Sequence, residues 1–176
     1  MKRLGLLRHA KSEWDDLSLR DFDRGLNARG RKGAALVGRH IRERGDVWDL
    51  IVASPAERVK LTLEASGLDA PVQWEQQVYL ADTETLMSVL RAVPDDPHAV
   101  LLAGHHPGLP QLLVTLVPPA AANALFDQAA EKFPTAAYAV LDLSIDRWAD
   151  LAPDCATLSH FIRPRDLDPA LGPERR

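Results

Sequence analysis

Ala99-Val100-Leu101-Leu102-Ala103 is a short run with no polar side chain and no helical period. Such a run is a strand covered on both faces. Two others resemble it, at residues 3–8 and at Leu50-Ile51-Val52-Ala53. Between the first two lies a helical pattern: Asn27 is a candidate cap, Ala34, Ala35, Val37, Gly38 and Ile41 form an apolar face, and Gly45 is a stop. Buried strands alternating with helices predict a mostly parallel sheet with helices on both sides, a three-layer α/β/α sandwich.

Other elements follow from local signals. Ser54-Pro55 predicts a helix with Ser54 as N-cap and Pro55 in its first turn. Val72 to Trp74 reads as a short strand, and residues 83–93 as a helix that Thr83 could cap. Pro107 to Val117 reads as another helix, closed by Pro118-Pro119. Tyr138 to Leu143 and Ala156 to Ile162 lack an intervening helical pattern and are expected to pair antiparallel, putting an antiparallel strand in the sheet. Residues 1–163 are expected to form a single domain, and 164–176, rich in Pro and charge, a loosely held tail.

In open α/β sheets, ligands sit beyond the carboxyl ends of the strands. There this chain places Arg8-His9, Ser54 to Arg58, and Gly104-His105-His106-Pro107-Gly108. Two arginines offer planar forks of donors that match phosphate oxygens. His9 beside them offers a ring nitrogen that can attack phosphorus, with His105 as a further donor. Lys11 and Ser12 are candidate phosphate contacts, and His106 a supporting or substrate-binding residue. Trp14 could line the substrate mouth, while His40, His98 and His160 read as structural or exposed. The basic stretch from Arg20 to Arg44 reads first as a solvated face and second as a docking surface for an acidic phosphoprotein domain.

The formal net charge of -4 argues against a general nucleic-acid binder. No apolar stretch approaches the ~20 residues that span a bilayer, and the apolar start stops at Arg8, so no membrane association and a cytoplasmic location are expected. Cys155 stands alone, which excludes an intrachain disulfide, and it reads as a small buried hydrophobe. No metal site and no cofactor are expected, because the arginines supply the positive charge.

The ordered motifs resemble the histidine phosphatase superfamily, the phosphoglycerate-mutase-like fold. These are Arg8-His9-Ala10-Lys11-Ser12, Leu26-Asn27-Ala28-Arg29-Gly30, Ser54-Pro55-Ala56-Glu57-Arg58 with Thr62, Tyr79-Leu80-Ala81, Gly104-His105-His106-Pro107-Gly108-Leu109, Pro134-Thr135-Ala136 and Arg163-Pro164-Arg165-Asp166-Leu167. The opening motif is similar to the small SixA-like branch, associated with phosphohistidine phosphatases. The resemblance implies a metal-independent phosphatase with His9 as nucleophile and Arg8, Arg58 and His105 as the phosphate pocket. It implies phosphohistidine in a protein domain as substrate. The alternatives are a small phosphate ester or phosphoanhydride, or phosphate recognition without turnover. Two departures stand out. His106 occupies a position where the family often has Asn. Ala81 lies where larger members carry an acidic proton donor, leaving Asp82 and Glu84 as candidate substitutes.

Overall fold

The computed structural model describes residues 1–173. Six strands form one sheet: β1 (Lys2–Arg8), β2 (Leu50–Ala53), β3 (Val72–Trp74), β4 (Ala99–Gly104), β5 (Tyr138–Leu143) and β6 (Ala156–Ile162), in the order β3-β2-β4-β1-β5-β6. The β1–β4, β2–β4 and β2–β3 pairs are parallel. β5 runs antiparallel to both neighbours, as its sequence led us to expect. Among the described residues there are six α-helices: α1 (Ala28–Arg44), α2 (Glu57–Ser66), α3 (Thr83–Arg91), α4 (Gly108–Leu116), α5 (Ala124–Glu131) and α6 (Pro164–Leu167). The architecture is a three-layer α/β/α sandwich, as expected.

The sheet separates two apolar clusters. Leu4, Leu6, Val100 and Leu102 pack with Met87, Leu90, Leu109 and Leu113 on the α3–α4 side. Leu7, Ile51, Leu101 and Val140 pack with Val37, Ile41, Val59 and Leu63 on the α1–α2 side. Alternate residues of each central strand thus feed opposite cores, the reason those strands read as unbroken apolar runs. α1 and α2 approach closely because Gly38 lacks a side chain; a Cβ there would stand 2.0 Å from the Ser66 carbonyl oxygen.

Asn27 caps α1 through Gly30 N–H, and Gly45 closes it with φ of 78°, both as expected. Three local expectations give way. α2 begins at Glu57 with Ala56 at its N-cap, so Ser54 and Pro55 lie outside the helix. The α3 cap is Asp82, one residue before Thr83, because its carboxylate reaches Thr85 N–H. The third is the chain after Arg163, which is docked rather than loose up to Gly172. Pro164 is buried, Arg29 donates to the carbonyls of Ala170 and Gly172, and Lys32 pairs with Asp168 at 2.9 Å. The rest of the expected tail, residues 174–176, lies outside the described residues.

Candidate active site

β1, β2 and β4 are adjacent and parallel, so their carboxyl ends open on one edge. There the structure brings together Arg8, His9, Arg58 and His105. The His9 N–H donates to the Gly104 carbonyl at 3.1 Å, locking the end of β1 to the end of β4. The His9 and His105 ring centroids are 5.4 Å apart. Both rings and the Arg58 side chain are buried.

The hydrogen bonds assign the tautomers. His9 Nδ1 lies 2.7 Å from the Ala10 carbonyl oxygen. A carbonyl only accepts, so Nδ1 carries the proton and Nε2 keeps its lone pair. His105 has the reverse arrangement. Arg58 Nη2, which only donates, lies 3.4 Å from His105 Nδ1, and Nε2–H faces Ser54 Oγ at 2.8 Å. Burial, reinforced by Arg8 and Arg58, lowers the His9 pKa to about 4. Burial, then Arg58 and His9, lowers that of His105 to about 3. Both imidazoles are neutral at neutral pH, the form a nitrogen nucleophile needs.

The arginines are held differently. Arg8 Nη1 donates to the Phe133 carbonyl at 3.0 Å, while its buried Nε has no partner among the described residues. Burial and then Arg58 lower the Arg8 pKa to about 10. A buried donor without an acceptor is costly unless a ligand supplies one. Arg58 is clasped by Asp21: Nη1 reaches its carbonyl at 2.8 Å and Nη2 its carboxylate at 3.0 Å. Tyr79 O–H donates to the same carboxylate, which lowers the Asp21 pKa first, with Arg58 adding to it. Tyr79 also meets the His105 ring edge-on at 5.4 Å.

Thr62 ties these parts together. Its Oγ1 accepts from Ala10 N–H at 2.8 Å and donates to the Arg58 carbonyl at 2.6 Å, joining the chain beyond His9 to α2. Gly30 lets the start of α1 lie against the same segment, since a Cβ there would stand 2.2 Å from the Lys11 carbonyl oxygen.

The other candidates are dispersed. Ser12 is buried in an isolated bridge with Leu26, and Lys11 is exposed beside a neighbouring cavity. His106 is exposed before α4, and its pKa is lowered by partial burial and then by Arg8. Asp82 caps α3, and the hydrogen bonds it accepts from Thr85 lower its pKa. Glu84 is exposed in the first turn of α3 without a hydrogen bond among the described residues. Trp14 is exposed, with the Arg24 guanidinium 3.9 Å over its ring. Sequence reasoning missed the Asp21 clasp and gave Ser54 the wrong task. The signal for Asp21 was its place in a charged loop after the Arg8-His9 motif, which no periodicity marks. Among the described residues, no group of three or more His, Cys, Asp or Glu could hold a metal ion, and no helix is long and apolar enough to cross a membrane.

A buried neutral His between two arginines at a strand-end crevice defines a class of phosphoryl-handling site, and comparison with known proteins agrees. The family model for the histidine phosphatase superfamily (branch 1) matches residues 4–84. An uncharacterized protein of Mycobacterium tuberculosis is 35% identical over 160 residues, 90% of this chain and 100% of that relative. The structure of the putative phosphohistidine phosphatase SixA from Nakamurella multipartitia superposes with a TM-score of 0.83 at 30% identity, covering 93% of this chain and 96% of that one. Its namesake from Agrobacterium tumefaciens gives 0.75 at 31% identity, covering 93% and 99%. The chain belongs to the histidine phosphatase superfamily and is a phosphatase of that class. Within the superfamily it falls in the SixA-like branch.

Proposed function

We propose that this protein hydrolyses phosphohistidine in a protein substrate, through a phosphohistidine formed on its own His9. The observation that carries the reading is the His9 hydrogen bond to the Ala10 carbonyl, which leaves Nε2 unprotonated within a cationic pocket. Arg8 and Arg58 neutralise the phosphoryl oxygens, the Arg8 Nε–H gaining the acceptor it lacks. His105 closes the pocket wall. The Nε2 lone pair attacks phosphorus, and the bond from phosphorus to the leaving group breaks, its electrons going with that group. Water then attacks the phosphorylated His9, the P–N bond breaks, and Nε2 regains its lone pair.

The substrate follows from the leaving group. Asp82 caps a helix, and Asp21 is held ionised by Tyr79 and Arg58, so neither offers a proton at neutral pH. An imidazole leaves phosphorus more easily than an alkoxide and suits a site without a strong acid. The names of the SixA relatives point the same way. The metal-free chemistry and the cytoplasmic setting belong to this reading. The test is turnover of a phosphohistidine protein domain and of 4-nitrophenyl phosphate, both in excess EDTA. Wild type should turn over both, and His9→Ala neither, while His9→Ala still binds inorganic phosphate. Near wild-type rates in His9→Ala would reject the covalent route, and loss of turnover on chelation, restored by a divalent ion, would reject the metal-free one.

A further inference from the structure

A cavity of about 170 Å³ opens beside the His9 pocket, against the main chain that follows His9. The two share backbone. Ala10, whose carbonyl binds His9 Nδ1, lines the cavity, and so does Ala136, whose N–H donates to the His9 carbonyl at 2.9 Å. The cavity lies at the same sheet edge, beyond the start of β5 and the end of β6, between α1 and α6.

Among the described residues its charged lining is cationic throughout: Lys11, Arg29, Lys132, Arg163 and Arg165, with no Asp or Glu. This is a local excess in a chain whose formal net charge is -4. Two of the five have work within the fold. Arg29 holds the carbonyls of Ala170 and Gly172, and Arg163 is paired with Asp166 through two oxygens. That leaves Lys11, Lys132 and Arg165. None of these three makes a side-chain hydrogen bond or ion pair among the described residues, and the buried Nε of Arg165 is without an acceptor. Asp166 is close enough to Arg165 to feel its charge, yet the hydrogen bonds it accepts come from Arg163. Cations gathered round a cavity repel one another and cost stability unless an anion offsets them. In the motif Arg163-Pro164-Arg165-Asp166-Leu167, Arg163 and Asp166 are both consumed by capping α6, whereas the Arg165 side chain makes no hydrogen bond among the described residues.

We propose that this cavity is a second anion subsite, which takes a carboxylate or phosphate carried by the same substrate whose phosphoryl group meets His9. That the anion belongs to the substrate rests on the phosphatase reading; the affinity of the cavity for an anion does not. A phosphoprotein with acidic residues beside its phosphohistidine would present such a group, and so would a small diphosphorylated molecule. The shared chemistry is a second negative charge a short tether away from the reacting one.

The experiment compares wild type with Lys132→Gln and with the double variant Lys132→Gln/Arg165→Gln. Neither residue belongs to the catalytic pocket, and Lys132 is exposed, so its single variant remains informative if the double variant folds poorly. The substrates are 4-nitrophenyl phosphate and phosphohistidine peptides flanked by Glu or by Gln. Alkane bisphosphonates of increasing length, set against matched monophosphonates, serve as inhibitors. The double variant should lose about tenfold in kcat/KM on the Glu-flanked peptide, mainly through KM, or lose the wild-type preference for bisphosphonates, and the loss should shrink at high salt. Loss confined to the peptide assigns the anion to a protein substrate, and loss confined to the bisphosphonates to a small molecule. Turnover of 4-nitrophenyl phosphate should stay within about twofold of wild type. Equal losses on every substrate, or no loss on any, would overturn the subsite. A tungstate soak keeps the two readings separate. If wild type turns over nothing, tungstate in the cavity against Lys132 and Arg165 still supports the subsite. An empty cavity beside a filled His9 pocket counts against it.

Discussion

At the scale of single residues, the protein turns on two neutral imidazoles held in opposite tautomers. His9 offers Nε2 because Nδ1 is spent on Ala10, and His105 turns Nε2–H to Ser54 because Arg58 faces its Nδ1. Nitrogen NMR of the free protein should therefore show His9 neutral and protonated at Nδ1 down to near pH 4, with His105 neutral lower still. The same shifts govern stability. Unfolded, both rings would bind protons near their ordinary value of 6.5; folded, they resist down to about 4 and 3. The unfolded state thus binds more protons across that window, and stability falls as pH drops from about 6.5 towards the folded values. His105→Asn should make that fall shallower in denaturant titrations. An unchanged slope would mean that this ring titrates as in water. His9 and His105 were legible in the sequence because motif and strand end coincide. Their tautomers were not, since the acceptor for His9 is a main-chain oxygen that any residue at position 10 supplies.

At the scale of elements, the site depends on how α1 and α2 lean on the chain beyond β1. Gly30 and Gly38 lie on one helix, and a Cβ at either meets main-chain oxygen at 2.2 and 2.0 Å. Gly38→Ala should force α1 from α2 and cost about 1–3 kcal/mol of stability, while the folded fraction keeps its kcat/KM. Gly30→Ala should displace Lys11 and its neighbours, lowering kcat/KM at least tenfold for a comparable loss in melting temperature. Equal effects of the two substitutions on activity would mean that α1 does not position the His9 segment. The strands and α1 could be read from the sequence, because period, cap and stop agreed. α5 could not: Ala124 to Glu131 is short, and only Ala129 is buried. The docking of the chain after α6 could not either, because it depends on long-range contacts of Arg29 and Lys32 with Ala170 and Asp168.

At the scale of the whole molecule, a sheet built for burial delivers four cationic or nitrogenous side chains to one crevice, beside an Asp21 carboxylate whose pKa Tyr79 and Arg58 lower. That arrangement makes the reaction sensitive to its leaving group. On the acid-free reading proposed above, the logarithm of kcat/KM for aryl phosphates should fall steeply as leaving-group pKa rises, with alkyl phosphates slowest, because an alkoxide needs a proton in the transition state. A flat dependence that becomes steep in Asp21→Asn or Glu84→Gln would identify a donor and reject the acid-free account. The covalent route itself is tested most directly by rapid acid-free quenching of enzyme with radiolabelled phosphohistidine substrate, followed by peptide mapping. The phosphoryl group should be found on His9, attached at Nε2, stable to alkali and labile to acid, and absent from His9→Ala. Turnover with no label on the enzyme, or with the label on any other residue, would contradict it.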